Sequence, residues 1–92
     1  MDFEWDYDKN QANIRKHGLD FDDAWEIFEG PWVIDLDLRI DYGEDRWILI
    51  GLLGSRAVVV TFTLRVPQTI RIISLRKASR HERKRLEEEI GD

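Results

Sequence analysis

The sequence contains no cysteine, and its 92 residues include only two histidines, His17 and His81. Without cysteine, neither a disulfide scaffold nor a thiolate-ligated zinc or iron–sulfur site can form, and two histidines are too few for a dedicated histidine metal site. No apolar run approaches the roughly 20 residues of a transmembrane helix. The acidic N-terminus also lacks the basic start and apolar stretch of a signal peptide. We therefore expect a cytoplasmic protein with no metal, no other cofactor and no membrane partner.

The residues that are present suit one small domain spanning 1–92. An apolar share of 42% argues against disorder, and the length leaves no room for a second core. Charge is distributed unevenly, since residues 1–45 carry fourteen acids and four bases, whereas residues 46–92 carry five acids and ten bases. Two explanations of this asymmetry stay open: a basic surface that attracts a phosphate backbone, or acidic and basic halves that complement each other within the fold.

Capping residues and apolar spacing predict two short N-terminal helices. Asp8 can cap the first, with Gln11 at the reciprocal capping-box position, and Gly18 follows its last turn. Asp20 can cap the second. The apolar residues of the second helix have α-helical spacing: Phe21, Ala24, Trp25 and Phe28. Two helices this small have no core of their own, so they must pack on another element.

Period-two patterns after Pro31 predict that this element is a β-sheet. Apolar and polar residues alternate from Trp32 to Arg39, as in a half-exposed strand. Further strands are predicted at 46–53, 56–64 and 69–76, and the segment 3–5 can add an edge strand. Gly54-Ser55 has the composition of a type II′ hairpin turn, and the Val58–Val60 run indicates a central strand covered on both faces.

A third helix is predicted from Ser79 to about Ile90, because Ser79 and Glu82 have capping-box spacing. Leu86 and Ile90 are its clear apolar residues, which predicts a weakly held helix. The element order is thus (β)ααββββα. We expect an α+β fold in which the helices lie on one face of an antiparallel sheet of four to five strands.

No phosphate-binding loop, metal signature or nucleophile elbow is present, so candidate site residues come from the ends of elements. Arg76 and Lys77 end an apolar strand directly before a helix N-terminus, where backbone N–H groups add to their positive charge. Ser74 shares a strand face with Arg76. This pattern indicates an anion site, although a merely solvated strand end gives the same sequence.

Three further groups each allow a functional and a structural interpretation. Glu44 and Arg46 form either a base with a phosphate clamp or a surface ion pair. Lys16-His17 ends the first helix, where His17 is either an acid–base group or a cation that suits the helix dipole. The basic run Arg80–Arg85 is either a solvated helix face or a phosphate-binding surface.

Five segments, in order along the chain, resemble the BrnT toxin family. They are Phe3-Glu4-Trp5-Asp6, Asn13-Ile14-Arg15-Lys16-His17-Gly18, Phe21-Asp22-Asp23-Ala24, Asp41-Tyr42-Gly43-Glu44-Asp45-Arg46 and Arg71-Ile72-Ile73-Ser74-Leu75-Arg76-Lys77-Ala78. The resemblance implies a RelE-like fold and a ribonuclease toxin of a type II toxin–antitoxin system that inhibits translation. It also implies a hetero-oligomer with a BrnA-like antitoxin, whose DNA-binding domain represses the shared operon.

The resemblance further implies RNA cleavage without metal, in which the RNA 2′-OH attacks the adjacent phosphorus. The residues that match family positions and suit the catalytic roles are Lys16, His17, Glu44, Arg46, Arg76 and Lys77, with Ser74, Arg80 and Arg83 as RNA contacts. Arg76 and Lys77 would stabilise the phosphate, Glu44 or His17 would move protons, and Arg46 would hold the acid or the phosphate. The alternative is a non-catalytic domain that binds an antitoxin or nucleic acid through the same surfaces.

Overall fold

The computed structural model describes residues 1–91, which form a five-stranded sheet with helices packed on it. The strands are β1 (Asp2–Trp5), β2 (Trp32–Leu36), β3 (Trp47–Leu53), β4 (Arg56–Arg65) and β5 (Thr69–Lys77). The helices are α1 (Tyr7–His17), a 3₁₀ helix (Phe21–Glu29) and α2 (Arg80–Ile90). The sheet order is β1-β5-β4-β3-β2. The predicted α+β class is confirmed, but the sheet is mixed, because β1 pairs with β5 in parallel.

The two faces of the sheet are covered by different helices. Face A carries the in-register row Leu49, Val60 and Leu75, and the 3₁₀ helix packs on it. The opposite surface, face B, carries Ile50 and Val59, on which α2 packs. The prediction that all helices lie on one face is therefore wrong for α2. The 3₁₀ helix covers face A over β3 and β5, and Leu86 of α2 is buried on face B instead.

The central strand β4 is covered on both sides, as its sequence predicts. Val58 and Val60 on face A and Val59 on face B are each at most 1% exposed. On β3, close packing requires a glycine: a Cβ at Gly51 would lie 2.7 Å from Cγ2 of Ile27. The β3–β4 hairpin turns at Gly54, whose φ of 64° fits the first position of the predicted type II′ turn.

The second predicted helix is a 3₁₀ helix rather than an α-helix. Its Asp20 cap is confirmed, since the Asp20 carboxylate accepts a hydrogen bond from the Asp22 N–H. With three residues per turn, residues at i, i+3 and i+6 lie on one side, so Ile27 is fully buried and Trp25 is 48% exposed. The predicted α-helical stripe was therefore wrong at Trp25 and missed Ile27. The buried residues of this helix are Phe21, Ala24 and Ile27.

Helix α1 is held on the sheet by amide side chains. It begins two residues earlier than predicted, with Asp6 rather than Asp8 as the N-cap, because β1 runs directly into it. Gly18 ends it in the left-handed conformation, as predicted. Asn13 donates to the Leu75 carbonyl (2.8 Å) and accepts from the Leu75 N–H (3.2 Å). Asn13 thus continues the edge of β5 beyond the point where β1 ends.

Helix α2 has the predicted bounds and the predicted capping box between Ser79 and Glu82. Of its two expected docking residues, Leu86 is buried and Ile90 is 50% exposed. Polar contacts supplement this small apolar contact, since Arg85 pairs with Asp35 of β2. No helix within residues 1–91 is long and apolar enough to cross a membrane.

Candidate functional site

Face B carries a polar surface beside α2, which we call the hydroxyl floor and define as Thr61, Thr63 and Ser74. Thr61 lies opposite Ser74, and Thr63 lies opposite Arg71. This arrangement depends on a bulge in β5: the register shifts between Thr61 and Phe62 and leaves no residue opposite Ile73. Because of the bulge, Arg71, Ser74 and Arg76 share one face although their spacing is three and then two. Thr61 and Ser74 are half-buried, whereas Thr63 is buried and donates its hydroxyl to the Asp45 carbonyl at 2.7 Å.

Arg76 lies at the α2 end of the floor and binds Glu82 with both of its terminal nitrogens, at 2.8 and 2.9 Å. The Glu82 carboxylate also accepts the Ser79 N–H at 2.7 Å, so the pair closes the helix N-terminus. The bidentate Arg76 contact, with burial opposing it, lowers the pKa of Glu82 to about 2. The same bond raises the pKa of Arg76, while the nearby charge of Arg39 opposes that rise. Arg76 is thus a fixed, partly exposed cation.

Arg46 lies at the other end of the floor, next to Thr63. Its guanidinium carbon is 3.8 Å from the centroid of the Tyr42 ring, a cation–π contact. Glu44 lies between two cations, with carboxylate oxygens 3.5 Å from Arg46 Nε and 3.5 Å from a terminal nitrogen of Arg65. Arg46 Nε is buried and has no hydrogen-bond partner within residues 1–91. Two guanidiniums around one carboxylate leave a net positive charge, which suits an anionic ligand.

A buried carboxylate, Asp37, holds the loop that carries Tyr42. Asp37 accepts hydrogen bonds from Arg39 Nε (2.9 Å), from the Arg39 N–H (3.1 Å) and from the Tyr42 hydroxyl (3.3 Å). The Arg39 side-chain and backbone bonds are the main causes that lower the pKa of Asp37 to about 2. Asp37 therefore stays ionised and fixes the ring on which Arg46 lies.

The structure brings together some of the predicted site residues and separates others. Ser74, Arg76, Glu44 and Arg46 are all associated with face B, and Arg80 and Arg83 are exposed on the first turn of α2 beside it. Lys77 lies opposite Val58 and so on face A, away from Arg76. Lys16 and His17 lie in the last turn of α1, alongside the β5 edge. No ion pair joins them to face B in the described part of the chain.

Sequence reasoning missed four residues of this surface: Asp37, Arg39, Tyr42 and Arg65. The sequence names Tyr42 only within the Asp41–Arg46 segment that resembles the BrnT family, and nothing local indicates that its ring contacts Arg46. Arg65 comes close to Glu44 because of the register between β3 and β4, and the sequence does not specify that register by itself. No three acidic or histidine side chains within residues 1–91 are grouped as a metal site requires.

Comparison with known proteins identifies the family. A family model described as the ribonuclease toxin BrnT of type II toxin–antitoxin systems matches residues 5–82. The chain belongs to the BrnT family. The crystal structure of the Brucella abortus ribonuclease toxin BrnT is similar to this structure, with a TM-score of 0.69 and 33% sequence identity over 87% of this chain and 99% of that chain. A search of curated proteins finds no match.

Membership of the BrnT family decides the general function that the sequence left open. The chain is a ribonuclease toxin of a type II toxin–antitoxin system, and such a system includes an antitoxin partner. The matched range includes Glu44, Arg46, Ser74 and Arg76, and thus most of the cationic surface on face B.

Proposed function

We propose that this BrnT toxin cleaves RNA on face B without a metal ion, in a RelE-like fold, and inhibits translation in the cytoplasm by destroying messenger RNA. The 2′-oxygen of the RNA forms a bond to the adjacent phosphorus, and the bond from phosphorus to the 5′-oxygen breaks. The products are a 2′,3′-cyclic phosphate and a 5′-hydroxyl end. The observation that carries the proposal is the hydroxyl floor, which lies between the guanidiniums of Arg46 and Arg76.

Cations serve this reaction because negative charge accumulates on the phosphorane oxygens in the transition state. Arg76 is held by Glu82, so little reorganisation is needed when the phosphate arrives. The Arg46 side chain is 24% exposed, so part of its guanidinium is accessible to a phosphate oxygen. In this assignment Arg46 and Arg76 contact the phosphate from opposite ends of the floor, and Ser74 donates its hydroxyl between them.

Proton transfer requires a base for the 2′-OH and a proton for the leaving 5′-oxygen. We assign the base to Glu44, since its carboxylate lies beside Arg46 and remains partly exposed. His17 lies on α1 at the β5 edge and is the candidate that delivers the second proton, with water as the alternative donor. Lys16, Lys77, Arg80 and Arg83 would contact the RNA backbone away from the cleaved bond.

A BrnA-like antitoxin with a DNA-binding domain is the proposed partner, which forms a hetero-oligomer with the toxin and neutralises it. This part of the proposal is supported by the family membership and by the sequence resemblance described above. It is independent of the identity of the base and the acid.

Cleavage of a radiolabelled messenger RNA by purified toxin in excess EDTA tests the reaction. We expect cleavage at an undiminished rate, with cyclic phosphate ends. Loss of cleavage on chelation and its return with magnesium would overturn the metal-free mechanism.

A matched pair of variants tests the site. Arg46→Ala should lose activity, whereas Arg56→Ala removes the same charge from an exposed position outside face B and should not. A toxin that binds RNA and antitoxin but never cleaves would instead be a non-catalytic interaction domain.

A further inference from the structure

The edge strand β2 exposes an apolar row where soluble proteins usually place polar residues. Trp32, Ile34 and Leu36 are 44%, 37% and 37% exposed, and they lie on face A beyond the cover of the 3₁₀ helix. The row continues in sequence with Leu38 and Ile40, which are 81% and 62% exposed. A contiguous apolar patch of this kind marks an interaction surface in a soluble protein.

The backbone hydrogen-bonding groups of Trp32, Ile34 and Leu36 point away from the sheet. The Asp37 N–H donates to the Arg46 carbonyl, which continues the β2–β3 ladder by one residue. In an antiparallel pair the inward-bonding residues alternate, so Val33, Asp35 and Asp37 bond to β3. The N–H and C=O groups of Trp32, Ile34 and Leu36 therefore point outward, where no strand neighbours β2 within residues 1–91. Such an edge is a template for an added strand.

An acidic column borders this edge. In the 3₁₀ helix one side packs on the sheet, and a second side points towards β1, since the Phe28 ring lies 5.4 Å from that of Phe3. Residues three apart share a side in a 3₁₀ helix. The third side therefore faces away from β1, towards β2, and all its residues are exposed acids. They are Asp23, Glu26 and Glu29.

We propose that the antitoxin of this toxin docks on β2 by adding a strand to its free edge. Alternate apolar side chains of that strand would cover Trp32, Ile34 and Leu36, and its Lys or Arg residues would face the acidic column. The inference rests on the toxin having a protein antitoxin and is independent of the cleavage mechanism proposed above.

Charge favours the antitoxin over a second copy of this chain as the occupant. The chain has a formal net charge of −5, and its first 45 residues carry most of the acids. A second copy would bring another acidic column and another acidic N-terminal half to the same edge, which like-charge repulsion disfavours. A basic, alternating strand satisfies the backbone groups, the apolar row and the charge together.

Binding of the purified cognate antitoxin, encoded in the same operon, to matched toxin variants tests the proposal. Ile34→Ala and Ile34→Pro both remove the apolar side chain, but only proline removes the outward N–H. Proline is tolerated at an edge position whose N–H faces solvent. We expect the Kd to rise about tenfold more for Ile34→Pro than for Ile34→Ala, with equal thermal unfolding of the two variants. Equal Kd values for these variants and the wild type would overturn the proposal.

Charge reversal and hydrogen exchange provide readouts that do not depend on proline. The double change Glu26→Lys, Glu29→Lys should weaken antitoxin binding, whereas Glu87→Lys, Glu88→Lys on α2 should not. The amides of Ile34 and Leu36 should exchange rapidly in the free toxin and slowly in the complex. Protection confined to α2 would overturn the proposal, as would a toxin dimer in light scattering that Ile34→Pro dissociates.

RNA cleavage by the free Ile34 variants separates this inference from the proposed function. Normal cleavage with antitoxin binding unchanged would refute only the docking surface. Weakened antitoxin binding as predicted, in a toxin that cleaves no RNA, would refute only the cleavage proposal.

Discussion

Arg76 and Glu82 form a bidentate ion pair that joins the end of β5 to the first turn of α2, with both nitrogen–oxygen distances below 3 Å. Arg76 therefore has two roles: it anchors the first turn of α2, and it supplies a cation for the phosphate. Substitution of Arg76 affects both roles, whereas substitution of Glu82 keeps the cation, because Glu82 lies outside the proposed contact with RNA.

Removal of the cations should abolish toxicity in a folded protein. We expect the Arg76→Ala, Lys77→Ala double variant to lose growth arrest, since loss of one oxyanion-type donor costs about 3 kcal/mol of transition-state stabilisation. Glu82→Gln is the comparison: it removes the ion pair that holds Arg76 but keeps the cation, so cleavage should fall much less than in the double variant while stability falls. Induced expression and circular dichroism measure the two effects. Full growth arrest by the folded double variant would exclude this site.

Acid should release α2 through Glu82. Its pKa is about 2 in the folded protein and near 4.5 when unpaired. The pair's contribution is therefore complete above about pH 4.5 and is lost as the pH falls towards 2. We expect the free energy of unfolding to fall by about 1–3 kcal/mol over this range, measured by urea unfolding. The Glu82→Gln variant should show a smaller decrease, and identical pH profiles for the two proteins would contradict the assignment.

The Tyr42 ring should matter more than its hydroxyl group. Tyr42→Phe keeps the ring under Arg46 and loses only the bond to Asp37, whereas Tyr42→Ala removes the cation–π contact, worth about 0.5–2 kcal/mol. RNA cleavage should fall about 2- to 30-fold in Tyr42→Ala and remain near the wild-type rate in Tyr42→Phe. Equal losses in the two variants would show that the hydroxyl, not the ring, positions Arg46.

Helix α2 should exchange its amide hydrogens faster than the central strand. Leu86 is its one buried side chain among residues 80–90. The Arg76–Glu82 pair holds only the first turn, and the exposed Arg85–Asp35 pair contributes little. We expect the amides after Leu86 to lose protection long before those of Val58–Val60 in the free toxin. Equal protection in hydrogen-exchange measurements would show that α2 belongs to the cooperative core.

The predictable parts of this fold are those set by local sequence. Gly18, Asp20, the Ser79–Glu82 capping box and the apolar run at Val58–Val60 were each interpreted correctly, because caps and strand periodicity depend on near neighbours. The exposure of Trp25 was not predictable in the same way, because the sequence spacing fits both a 3₁₀ and an α-helix until the sheet beneath selects one.

The candidate site was harder to predict because it depends on strand register. The sequence identified Arg76 and Lys77 as neighbours, but β-strand alternation places them on opposite faces. It could not show that a bulge at Ile73 brings Ser74 to the same face as Arg71. Nor could it show that Glu82, interpreted as a cap, also binds Arg76.

The contacts of α1 and β1 make the order in which the chain is synthesised matter for completion of the sheet. Within residues 1–91, β1 pairs with β5 alone, and Asn13 binds Leu75 across 62 positions of sequence. Phe3 and Asn10 have early partners in Phe28 and Phe21, but the strand that β1 pairs with does not exist until residues 69–77 have been made. Non-local pairing of this kind delays folding. The sheet is thus completed only when β5 pairs with β1 and β4, and this strand also carries Ser74 and Arg76 of the proposed site.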